Sequence, residues 1–193
     1  MLNAPHSILS IWKRFDCFPM ETLTKAWFYD KAGIKKQRDV SLMKEHRAQY
    51  GITGNCFDLA IWLLHEFKEA GIEAYPVGQE LKTPSAHAAV VAVDEEGRRY
   101  LCDLGDQWLQ PILIDPEARD FTPEKVSGFF PAADVQVSFE DGQLEIAYHR
   151  PNGKISRQSY DTDTADMNSF LKAAERSQHT IYPKAGLEQR IPY

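Results

Sequence analysis

The chain has 193 residues, with 22 Lys and Arg against 28 Asp and Glu, for a formal net charge of −6 and a pI near 5.5. That length suits one domain or two small ones, and 43% hydrophobic with 26% charged residues excludes a disordered or collagen-like chain. The densest basic run, Lys35-Lys36-Gln37-Arg38, is too short to displace phosphate counterions, so neither nucleic acid nor an anionic membrane surface is an expected partner.

In chain order, the first fifty residues read as short helices, at Leu23 to Ala32 and Ser41 to Gln49, punctuated by Pro19 and Gly33. The strongest helix follows. Phe57, Ala60, Ile61, Leu64 and Phe67 keep the i, i+3, i+4, i+7 spacing. Leu59, Trp62 and Leu63 add apolar surface on other faces, the pattern of a central helix. Asn55 is a good N-cap with Asp58 three residues on, and Gly71 supplies the stop.

The period then changes to two. Glu73 to Val77 predicts a short strand. Ala86 to Val93 and Arg98 to Asp103 flank an Asp94-Glu95-Glu96-Gly97 turn, a hairpin signal. Val135 to Phe139, Leu144 to Tyr148 and Ile155 to Tyr160 predict three more strands, joined at Asp141-Gly142 and Asn152-Gly153. A last helix is expected from about Ala165 to Ser177. Helices, then strands, then one helix favour an α+β fold. The expected form is a helical N-terminal part (1–71) carrying the central helix, packed on a curved antiparallel sheet or small barrel (72–193), with a hinge near Gly71.

No run approaches the roughly 18 apolar residues a membrane span needs. The N-terminus lacks a charged start followed by an apolar run, so no cleavable signal is expected. The three cysteines, Cys17, Cys56 and Cys102, are an odd and sparse set. They fit a reducing cytoplasm and not a disulfide framework. No Cys-x-x-Cys or His-x-x-x-His spacing supports a metal site, and no nucleotide-binding glycine motif is present.

Chemistry concentrates on Cys56, His87 and Asp103. Cys56 falls in the first turn of the central helix, where the partial positive charge favours a thiolate. The N–H groups of that turn could hold a developing oxyanion. A Glu95-Glu96-Gly97 loop with Gly97 left-handed pairs Asp94 with Arg98, which puts His87 and Asp103 on one face as diagonal neighbours. A slip of one residue would separate them. The types suit a nucleophile, a general base and an orienting carboxylate.

Gly54-Asn55-Cys56-Phe57-Asp58, Ala70-Gly71-Ile72-Glu73-Ala74, His87-Ala88-Ala89-Val90-Val91 and Asp103 together resemble the transglutaminase-like cysteine enzyme core. Within it, Phe18-Pro19-Met20-Glu21-Thr22-Leu23 and Leu101-Cys102-Asp103-Leu104-Gly105, followed by Pro111, are similar to segments of the arylamine N-acetyltransferases. The likeness covers residues 15 to 115 with useful specificity. It implies a Cys56-His87-Asp103 triad and acyl transfer through an acyl-cysteine. The donor would be a small molecule, with acetyl-CoA the one implied, used without a tightly bound cofactor. The acceptor would be an amine or water. It places Phe18 and Trp108 at the substrate, Trp108 standing in for the family's acceptor-lining aromatic, whose position holds Asp106. Other departures are Ile52-Thr53-Gly54 for the family's Arg-Gly-Gly, and Asp58 and Ala60 for its Glu and Asn. The sequence covers no counterpart of the third domain that helps form the family's coenzyme A cleft. The rival readings are a transglutaminase-like amidase or peptidase, and a catalytically silent binding module.

Overall fold

The structure is a computed structural model. It describes residues 3–31, 33–140, 143–162, 166–181 and 187–188. Helix α1 spans His6–Trp12. A two-residue strand β1 (Met20–Glu21) precedes α2 (Leu23–Tyr29), α3 (Val40–Tyr50) and the long α4 (Cys56–Glu69). Both ends of α4 form as its sequence dictates. The Asn55 side chain accepts from the N–H groups of Phe57 and Asp58, and Asp58 accepts from the Asn55 N–H at 3.2 Å, a complete capping box. At the other end Gly71 donates to Lys68 and Ile72 to Phe67, a Schellman closure. Between them Phe57, Leu59, Ala60, Trp62, Leu63 and Phe67 are all buried, so α4 is the central helix its all-round apolar pattern required.

The longer strands make two four-stranded antiparallel sheets. β2 (Ala74–Gln79), β3 (His87–Val93), β4 (Arg99–Cys102) and β5 (Ile112–Leu113) form one, in chain order. β6 (Val126–Phe130), β7 (Ala133–Glu140), β8 (Gln143–His149) and β9 (Ile155–Tyr160) form the other. A bridge between Gly78 and Asp161 joins β2 to the end of β9. Leu109, in the loop before β5, donates to Phe129 in β6 at 2.9 Å, a second link between the two sheets. The fold is thus α+β, with α4 packed on β3 and β2. Residues Ala88 to Ala92 of β3 are buried on both faces, as a strand covered by a helix and enclosed by a second sheet must be.

The β3–β4 hairpin keeps the expected register. Val93 faces Arg99 and Val90 faces Cys102, the Asp94 N–H donates to Arg98, and Gly97 takes φ +79. The Asn152-Gly153 turn likewise closes β8 on β9, with Arg150 donating to Lys154. The Asp141-Gly142 turn lies outside the described residues. The last helix, α5 (Met167–His179), begins two residues later than the sequence suggests. Asp166 caps it by accepting from Asn168 and Ser169. α5 returns to pack on α2 and α4, and β10 (Leu187–Glu188) pairs with β1. Strands β1, β5, β6 and β10 and helix α1 were not individually expected. Among the described residues no helix is long and apolar enough to cross a membrane.

A buried polar cluster fixes where α4 starts. Asp58 pairs with Arg38 at 3.2 Å, both side chains 2% exposed. Gln37 donates to Asp58 at 2.8 Å, Gln178 to Gln37 at 3.0 Å, and Asn55 to Ser177 at 3.3 Å. Loop, α4 and α5 are thereby locked together just beside Cys56. Asp58→Ala would leave the Arg38 guanidinium buried without its carboxylate. It is expected to lower the unfolding free energy by about 3–5 kcal/mol, seen as a lower urea midpoint at unchanged slope. A midpoint equal to the parent's would deny the cluster that role.

Candidate active site

Three elements converge on one point. Cys56 is the first residue of α4, His87 the first of β3, and Asp103 the residue that follows β4. His87 Nε2 lies 2.7 Å from Asp103 Oδ2, and Cys56 is close enough to help hold the ring protonated. The structure therefore brings Cys56, His87 and Asp103 close to one another.

Asp103 is wholly buried, and its carboxylate is met on several sides. Oδ2 also accepts from the Tyr160 hydroxyl at 2.6 Å, and Oδ1 accepts from the Asp106 N–H at 2.9 Å. Burial alone would push the His87 pKa down. The charge and hydrogen bond of Asp103, with further support from Cys56, win and hold it well above the ordinary imidazole value. Burial and the neighbouring Asp103 carboxylate push the Tyr160 pKa well up, so it stays a donor.

Gly105 closes the arrangement. A Cβ there would sit 2.5 Å from Cys56 Cβ, 2.8 Å from His87 Cε1 and 3.2 Å from Asp103 Oδ1. No side chain fits at that point without displacing Cys56 or the His87 ring. Lys25 adds a charge nearby. It is 9% exposed and donates to the Ser177 carbonyl at 3.1 Å. Burial lowers its pKa, against the opposing pull of Cys56 and Asp58.

Of the first-turn N–H groups, those of Phe57 and Asp58 are taken by the Asn55 cap. The structure also adds Tyr160, Gly105 and Lys25, which the sequence did not single out. Gly105 lies inside a motif that the sequence displays. Tyr160 is found only once β9 is set beside β2.

Phe18 and Trp108 belong to neighbouring clusters. Phe18 packs edge-on against Phe15 and Trp62, each with ring centroids 5.0 Å away, under the Arg47 guanidinium. Trp108 is fully buried and packs edge-on against Phe130 and Tyr148. Those two residues, with Asp106, line a cavity of about 350 Å³. Asp106 Oδ1 is 3.9 Å from His87 Nε2, and Oδ2 accepts from Tyr148 at 3.4 Å. His87, Asp103 and Asp106 hold ligand-type atoms within 4.8 Å of one another, the spacing of a metal site. Asp103 Oδ2, however, is already occupied by both His87 and Tyr160.

The fold is that of the arylamine N-acetyltransferases. The Nocardia farcinica enzyme superposes with a TM-score of 0.69 at 14% identity, over 94% of this chain and 66% of its own. The Salmonella typhimurium enzyme gives 0.61 at 15%, over 93% and 65%. A Bacillus cereus enzyme, described as having a Cys-His-Glu catalytic triad, gives 0.59 at 12%, over 86% and 65%. The chain thus spans slightly less than two thirds of the length of these enzymes. No family model and no curated protein matches the sequence.

Gly105→Ala tests the packing of the site. Iodoacetamide labelling at neutral pH is expected to slow at Cys56 by about tenfold or more, since small displacements of reacting groups carry large rate effects. Labelling of the exposed Cys17 in the same sample should not change. An unchanged ratio of the two rates, read by peptide mass mapping, would show that Gly105 does not hold Cys56 in place.

Proposed function

We propose that this chain is a cysteine acyltransferase of the N-acetyltransferase kind, working through an acyl-Cys56 intermediate. The observation that carries this reading is the meeting of Cys56 and His87 around Gly105, with His87 held by buried Asp103, in a fold shared with N-acetyltransferases.

Each residue then has one task. Cys56 attacks the carbonyl of a thioester donor, for which acetyl-CoA is the first candidate. The new C–S bond forms as the donor's C–S bond breaks, and the imidazolium of His87 gives its proton to the departing thiolate. In the second half the acceptor amine attacks the acyl-cysteine. His87 takes the amine proton, and the Cys56 thiolate leaves with the imidazolium beside it. Asp103 stays ionised throughout, fixes the ring and balances its charge. Tyr160 and the Asp106 N–H keep Asp103 in place. Trp108 acts through Tyr148 and Phe130, the walls it supports. Phe18 acts as an anchor of the loop that leads to β1 and α2.

Intact-protein mass after mixing with acetyl-CoA is expected to rise by one acetyl group. The gain should be absent in Cys56→Ala and at least about 100-fold slower in His87→Ala. No adduct with acetyl-CoA or any other acyl-CoA would reject the reading. Acylation by peptide amides alone would replace it with a hydrolase.

A further inference from the structure

The cavity beside His87 has a chemical polarity of its own. Tyr160, Gln158 and Ser156 alternate along β9 and so share one face. Tyr148 on β8 pairs with Ser156, and the chain beyond β8 carries Arg150 opposite Lys154. One end of this face touches the candidate site, where the Tyr160 hydroxyl donates to Asp103. The other end lies four residues away, about 13 Å at the rise of a strand.

Polar contacts follow that line. Tyr148 donates to Asp106 at 3.4 Å and to Gln158 at 3.1 Å, and Arg150 donates to the Ser156 hydroxyl at 2.7 Å. Asp106, Tyr148, Gln158, Ser156, Arg150 and Gln79 all line the cavity of about 350 Å³. Its two ends differ in charge. Asp106, with its side chain 32% exposed, stands 3.9 Å from the His87 ring. At the far end Arg150 has no carboxylate partner among the described residues. Arg157, at the same cavity, is already held by Glu145 at 3.1 Å.

We propose that this cavity takes the acyl acceptor as a zwitterion: an aliphatic amine whose ammonium group meets Asp106 and whose carboxylate meets Arg150. The inference rests on the acyl-transfer reading for the word acceptor, and on the cavity alone for the ligand class. An alkylamine, like a lysine side chain, is protonated at neutral pH. An arylamine nitrogen is neutral and can offer a carboxylate a hydrogen bond but no ion pair. A guanidinium lacking an acid partner suits a carboxylate in a bidentate fashion. The protons balance as follows. His87, neutral once the donor thiol has left, takes the first proton from the ammonium. The amine attacks the acyl carbonyl, the C–S bond to Cys56 breaks, and the second proton passes through the Asp106 carboxylate to water. The products are the amide, the Cys56 thiolate, the His87 imidazolium and one released proton.

The test is calorimetric binding to the native chain, with 5-aminopentanoate, n-butylamine, pentanoate and 4-methylaniline as probes. 5-Aminopentanoate is expected to bind at least tenfold more tightly than any of the other three. Arg150→Met should reduce it to the level of n-butylamine, and Asp106→Asn to the level of pentanoate. Equal binding of all four, tightest binding of 4-methylaniline, or an unchanged preference in both variants would overturn the proposal. The two readings fail separately. Selective binding without an acetyl adduct on Cys56 removes acyl transfer and keeps the zwitterion site. An adduct without selective binding removes the site alone.

Discussion

The site is organised around a carboxylate that has no contact with solvent. A buried Asp103 must be paired and hydrogen-bonded to stay charged, and every group that satisfies it comes from a different part of the chain. His87 arrives from β3, Tyr160 from the second sheet, and the Asp106 N–H from the loop after β4. The demand of one anion thus sets the relative position of both sheets and of the histidine. The ring it holds then faces the first residue of α4. A second buried anion, Asp58, does the same for the helix by tying its start to Arg38, Gln37 and the Asn55 cap. Between these two anchors Cys56 has little freedom to be anywhere but beside His87.

Gly105 shows how closely the two halves meet. The loop that carries Asp103 presses its backbone against Cys56 and His87, where even one carbon would intrude. That approach also brings Asp106 to the rim of the cavity. A position that the likeness to arylamine N-acetyltransferases assigns to an aromatic is here a carboxylate. The loop therefore fixes two things at once, the approach of Cys56 to His87 and the carboxylate at the rim of the cavity.

Much of this was legible in the sequence because it is local. The capping residues of α4 and the apolar residues around it lie within fifteen positions of one another. The Glu95-Glu96-Gly97 loop sets the register that puts His87 and Asp103 on one face. What escaped notice is non-local or short. Tyr160 reaches Asp103 only because Gly78 and Asp161 join β2 to the end of β9, a pairing with no sequence signal. β5 has two residues and β6 carries Gly128 at φ +83 with a shifted register, so neither shows a strand period. The likeness places Trp108 at the substrate, and the structure buries it fully. Its burial follows from Phe130 and Tyr148, which come from strands far along the chain. The cap that makes Asn55 a good helix start also takes two of the first-turn N–H groups, those of Phe57 and Asp58.

The central claim is that Asp103 keeps His87 as an imidazolium beside Cys56. Nitrogen-15 NMR of the His87 ring reads this directly. Because the folded-state pKa is raised, both ring nitrogens should carry protons at pH 6.5 and remain protonated well above it, and Asp103→Asn should return the ring to the neutral form near neutral pH. A His87 ring already neutral at pH 6.5, and unchanged by Asp103→Asn, would contradict the account.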